Sequence, residues 1–181
     1  MYKRYVIYFS IICFTFLFLC PKSFSAETIT VENIEVASGR AYVVPEAGID
    51  VGTKYYIDRD YVVNLLPEEL IGATFIMTGN DDKNSVGEDF LTFTVDIPTK
   101  VWLARDSRGD EGKAGQIPEW LSEDMGWERH EDLKIEVTDG NMGFFILYSK
   151  DFEKGDIVLG GNADPTIKRS GEPISCYPYT Q

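Results

Sequence analysis

Of the 181 residues, 30 are acidic and 17 basic, giving a formal net charge of −13 at pH 7. A field of that sign repels phosphate backbones and anionic headgroups, which argues against nucleic acid and membrane-surface partners and leaves neutral glycans, cations or basic proteins. Only three cysteines and one histidine are present, so a disulfide-stapled scaffold and multi-histidine chemistry are both disfavoured.

Taken in chain order, the first element is an address. Lys3 and Arg4 precede the apolar run Val6 to Cys20, and "SFSAE" supplies small residues for cleavage near Ser25 or Ala26. The apolar run is shorter than the roughly 20 residues a helix needs to cross a bilayer. Residues 1–26 are therefore read as a secretory signal peptide, with no membrane insertion after its removal. Export takes away Lys3, Arg4 and Lys22 and no acid, so the mature balance becomes −16. It also removes Cys13 and Cys20. Cys176 is left as either an inert buried thiol or an intermolecular partner.

The mature stretch of about 155 residues is long enough for one hydrophobic core. "TITVENIEV" alternates as a strand does, but its phase slips between Val31 and Ile34, which predicts a bulge or turn. "AYVV" (41–44), "KYYIDRDYVV" (54–63) and "GATFIMT" (72–78) read as further strands, with "PEEL" (67–70) a single helical turn. "FLTFTVD" places Leu91, Phe93 and Val95 on one face, and "LKIEV" does so with Leu133, Ile135 and Val137. Between them "TKVWLAR" (99–105) is apolar on both faces, the pattern of a strand buried on both sides. "IPEWLSEDMGW" (117–127) suggests short helical turns, "GFFILYS" (143–149) and "DIVLG" (156–160) are strands, and turn chemistry separates them all. Many short strands without long helical periods predict an all-β, antiparallel β-sandwich of jelly-roll type over residues 27–163, with one or two short helical turns and a C-terminal tail at 164–181.

Candidate binding residues are aromatic and acidic. Trp102, with Asp106 and Arg108 two residues apart at the strand end, is either a sugar-stacking platform or a core residue beside an ion pair. Trp120 and Trp127 lie in a polar connection, and an aromatic face flanked by carboxylates is what glycan binding needs. Trp120 reads equally as a plug at one end of the sandwich, whereas Trp127 is expected to be exposed. The loop "GNDDKNSVGED" offers Asn80, Asp81 and Asp82 as oxygen ligands, which makes calcium the candidate cofactor, although Asp and Asn are also turn formers. The loop is not an EF-hand, because Phe93 stands where a bidentate Glu is required. His130 stands alone, so zinc motifs and triads lack their residues. "RGD" at 108–110 reads as a turn.

The ordered segments "YYIDRDY" (55–61), "IMTGNDDK" (76–83), "VWLARDSR" (101–108), "PEWL" (118–121) and "LYSKDFEKGDIVLGGN" (147–162) resemble an accessory β-sandwich module of secreted bacterial multidomain proteins. That resemblance implies a module of the kind found on polysaccharide-degrading and cell-surface proteins, carbohydrate-binding-like and non-catalytic. The expected role is thus binding of a glycan or polysaccharide outside the cell or in the bacterial envelope. The alternatives are a structural or adhesive envelope protein that works with other envelope proteins, and a carbohydrate-active enzyme of jelly-roll fold. Glycoside hydrolysis needs two carboxylates about 5 to 9.5 Å apart, and the sequence nominates no such pair.

Overall fold

The computed structural model describes residues 29–107 and 117–163 together with the backbone of 179–180. Residues 1–26, expected as a signal peptide, Arg108 with the rest of the RGD tripeptide, and Cys176 lie outside the described residues. Among these there is no helix long and apolar enough to cross a membrane.

Among the described residues, eight strands form two antiparallel sheets: β1 (Val31–Val36), β2 (Val63–Leu65), β3 (Leu91–Val95), β4 (Thr99–Asp106), β5 (Glu128–Val137), β6 (Phe144–Phe152), β7 (Gly155–Leu159) and β8 (Tyr179–Thr180). The smaller sheet runs β1-β3-β7 and the larger β2-β5-β6-β4-β8. This is the β-sandwich that alternation predicts. The slip in "TITVENIEV" is real. The β1/β3 register shifts between Glu32 and Glu35, and Asn33 takes a positive φ of 52° there.

Strand β3 shows why alternation is legible. Leu91, Phe93 and Val95 are buried while Thr92 and Thr94 are only half-buried. Together with Ile157 and Leu159 of the neighbouring β7, the apolar set faces Val101 and Leu103 of β4 and Tyr148 of β6, making the core between the sheets. Removing such a fully buried aromatic as Phe93 leaves a cavity that costs about 3 to 5 kcal/mol.

The five-stranded sheet is covered on its other face as well. Ala104, Phe145, Leu147, Ile135 and Val137 point outward from the sandwich into a second core with Ile49, Tyr55, Tyr56, Leu66, Leu70 and Phe75. Strand β4 is therefore buried on both faces from Leu103 to Asp106, later than its apolar stretch suggests, because Trp102 is only half-buried while the charged Arg105 and Asp106 are enclosed.

The covering segment is where the strand expectations fail. Residues 41–44, 54–62 and 72–78 pair only through isolated bridges, Val43 with Met77, Lys54 with Val62 and Tyr56 with Thr78. In a strand, Tyr55 and Tyr56 would point to opposite faces. Instead their rings lie 4.4 Å apart, and Tyr55 meets Phe145 edge-on at 5.6 Å. β-branched and aromatic composition serves here to pack an irregular layer onto the sheet rather than to extend it.

Polar groups close one end of the sandwich. Asn162, just beyond β7, donates its backbone N–H to Ser85 Oγ (3.0 Å) and its side-chain amide to the Lys83 carbonyl (2.9 Å), and its Oδ1 accepts from the Arg105 guanidinium of β4 at 3.5 Å. Arg105 and Asn162 are both buried. The latch thus joins the two sheets through satisfied polar groups, the condition for burying them.

Candidate functional site

The outer face of the five-stranded sheet has two halves. Register sets which residues share it: Trp102 lies across from Ser149, Ser149 from Glu128, and Leu147 from His130. Lys100 pairs with Asp151 by the same parity. The β5/β6 register then shifts between His130 and Lys134. On the far side of that shift, Ile135 and Val137 lie under the irregular layer. On the near side the face is polar and carries one indole.

Trp102 is half-buried, and its ring centroid stands 4.6 Å from that of His130, with the planes at 34°. Beneath them, the buried Ser149 hydroxyl contacts His130 Nε2 at 2.8 Å. This contact fixes the imidazole against the indole, so the two rings present one continuous surface. At the rim, Lys100 Nζ reaches Asp151 at 3.2 Å, and Glu128 is exposed. An apolar ring bordered by hydroxyl, imidazole, ammonium and carboxylate groups has the chemistry to hold a polyol with one apolar face.

Trp102 is thus in this site, but the other tryptophans are not. Trp127 is buried, 3 % exposed, which corrects the expectation of exposure. The cause is local. Gly126 takes φ 85° at the end of the 3-10 turn Glu123–Met125 and swings the next side chain inward. There Trp127 meets Trp120 at 5.9 Å and Phe152 at 6.0 Å, both edge-on. Trp120 serves as the plug: its Nε1 donates to the Gly161 carbonyl at 2.9 Å. The indole lies so close to Gly160 that a β-carbon there would sit 2.3 Å from Trp120 Cδ1. The "LGGN" sequence is accounted for by this contact and by the Asn162 latch. Both tryptophans belong to the core between the sheets, on the opposite face from Trp102.

Asp106 is also corrected. It is completely buried rather than placed where the sheet meets solvent. β4 keeps its outer face covered to its end, and Asp106 lies near Tyr55 and Tyr56. Burial pushes both hydroxyls well above the ordinary tyrosine range, and the Asp106 charge adds to the effect. Both hydroxyls lack a hydrogen-bond partner.

The 79–89 loop spends its oxygens on the protein itself. Asp82 accepts from Ser38 Oγ (2.9 Å), Tyr42 Oη (2.8 Å) and Arg40 Nε (3.1 Å). Asp81 pairs with Arg59 and lies 3.6 Å from Arg40. The backbone N–H groups of Asn80 and Asp81 donate to Asp58 at 2.8 and 2.9 Å. The atoms that the calcium expectation assigns to a cation at Asn80, Asp81 and Asp82 thus face two guanidiniums, and no cluster of metal-ligating residues occurs among the described residues. Desolvation, then the bond to Asp82, raises the Tyr42 pKa.

Sequence reasoning missed His130, Ser149, Lys100 and Asp151 as neighbours of Trp102. The block "ERHED" hides the strand parity that sets His130 beside it, because the register shift separates it from the alternating "LKIEV".

No family model and no curated protein matches the chain. Among solved structures, a beta-glucuronidase from glycoside hydrolase family 2 is similar, with a TM-score of 0.64 at 21 % identity over 81 % of this chain and 14 % of that one. A GH138 enzyme targeting pectin rhamnogalacturonan II aligns with a TM-score of 0.45 at 14 % identity, over 74 % of this chain and 16 % of that one. The chain therefore spans a small part of either structure's length, and the likeness to the first is one of fold.

Proposed function

We propose that the protein is an exported, non-catalytic carbohydrate-binding module whose binding surface is the polar half of the outer sheet face. The observation that carries this reading is the half-exposed Trp102 indole held beside His130 by Ser149. An indole ring gains its contact energy from the C–H face of a pyranose, while Lys100, Asp151 and Glu128 stand where ring hydroxyls project. The fold shared with part of a beta-glucuronidase from glycoside hydrolase family 2 supports a saccharide as the ligand class. The strongly acidic balance of the chain fits a neutral glycan better than an anionic one.

A glycan-array screen of residues 27–181, with and without calcium, tests the reading. Selective binding is expected in both conditions, lost in Trp102→Ala and weakened in His130→Ala. Unchanged binding in Trp102→Ala would move the surface elsewhere, and a clean negative across the array would end the carbohydrate reading. Release of reducing sugar from any bound glycan would overturn the non-catalytic assignment.

A further inference from the structure

Trp102 borders a second feature. A cleft of about 160 Å³ opens beside β4, between its first residues and the passing segment 73–76. Strand β8 pairs with β4 at Ala104 and Arg105, and among the described residues no strand lies along the β4 edge ahead of Ala104. Phe75 turns into the outer core and Ile76 into the core between the sheets, so the segment straddles that edge. The walls are apolar almost throughout, with Val31, Val95, Leu70 and Leu147 among them. Lys100 and Trp102 also line the cleft, and both belong to the polar face as well.

We propose that this cleft is a binding site for a small apolar group, an acyl chain or aromatic ring of up to about six carbon atoms. The size argument is direct: a cavity of about 150 Å³ with aliphatic and aromatic walls is large enough for benzene and is a poor site for water, which needs polar partners. The position argument concerns the source of the group. Because Trp102 walls both the cleft and the polar face, a saccharide on that face presents an ester-linked or ether-linked substituent to the cleft. In that form the inference rests on the carbohydrate reading above.

The test has two arms on the purified protein. First, toluene is titrated against methyl-labelled protein and followed by NMR. Shifts are expected at Val101, Leu147 and Ile135, and are abolished in Ala104→Leu and in Ala73→Leu, each of which fills the cleft from a different wall. Second, an acylated polysaccharide found on the array is compared with its mild-alkali-deacylated form. The acylated form is expected to bind about tenfold more tightly, the worth of burying about two methylene equivalents, and Ala104→Leu is expected to equalise the two. Absence of toluene shifts in the folded wild-type protein overturns the site. Equal affinity for the two polysaccharides overturns the substituent assignment while leaving the saccharide face standing. Binding of neither polysaccharide, with toluene still shifting the cleft methyls, overturns the carbohydrate reading and upholds the cleft as a site for a small apolar group.

Discussion

One sheet face carries two regions of opposite use. In the half formed by Ala104, Phe145, Leu147, Ile135 and Val137, the sheet is roofed by an irregular layer and every side chain is core. In the half formed by Lys100, Trp102, Glu128, His130, Ser149 and Asp151, the same strands lie bare of that roof. The backbone is equally regular in both, and β4 and β6 pair without interruption across them. The difference comes from side chains and from one register shift in β5. The proposed site lies where half a face is left uncovered, with the covered half supplying the rigidity.

The comparison predicts that stability and binding separate between the halves. The largest effect is expected from Phe145→Ala in the roofed half, with a loss of about 3 to 5 kcal/mol in denaturant unfolding. Protein that remains folded should keep the glycan binding proposed for the open half. A loss under 1 kcal/mol would show that the roof is not a core.

Alkali should act on the roofed half next. An unfolded tyrosine ionises near pH 10.0, whereas burial raises the Tyr55 and Tyr56 hydroxyls in the fold. Above that pH the unfolded chain loses protons that the folded chain retains. Stability is therefore full below about pH 10 and falls as pH rises further. Thermal melts on a rising pH series check this, and Tyr55→Phe with Tyr56→Phe should flatten the decline. Because neither hydroxyl has a partner to lose, the double variant should be no less stable at neutral pH.

In the open half, Trp102→Ala should cost about 1 to 2 kcal/mol, less than a fully buried aromatic, and yet abolish binding. A stability loss as large as that of Phe145→Ala would assign the indole to packing. The smallest effect belongs to the rim. Lys100 and Asp151 are 46 % and 78 % exposed, and breaking their pair should change stability by less than about 1 kcal/mol. Binding should fall several-fold, and a double-mutant cycle measures the coupling.

How much of this the sequence disclosed follows the same division. Strands with one wet face are legible, because Leu91, Phe93 and Val95 alternate with threonines and the period gives both the strand and its orientation. The two-sided burial of β4 was legible only in part: the apolar run around Trp102 suggested it, but Lys100 and Trp102 stay open on the outer face and the strand is buried on both sides from Leu103 to Asp106, where Arg105 and Asp106 are charged. The roof was not. Segments 54–62 and 72–78 have strand composition, and only tertiary packing decides that Tyr55 and Tyr56 stack on one side. Of the site, the sequence named Trp102 but favoured Trp120 and Trp127 over it, because exposure depends on turns such as that at Gly126. His130 and Ser149 became visible as partners only once the β5/β6 register was known, and register across 19 residues has no local signal here.

The Asn162 latch has a kinetic consequence. Its four hydrogen bonds reach 57, 77 and 79 residues back along the chain, to Arg105, Ser85 and Lys83. Contacts of such separation require most of the chain to be in place before they can close, and all-β folds dominated by them refold in milliseconds to seconds. A contact absent from the transition state stabilises the native protein by slowing its opening. Asn162→Ala is accordingly expected to steepen the loss of native protein in stopped-flow unfolding while leaving the refolding rate near that of wild type, so that the end of the sandwich sets how long a folded copy survives.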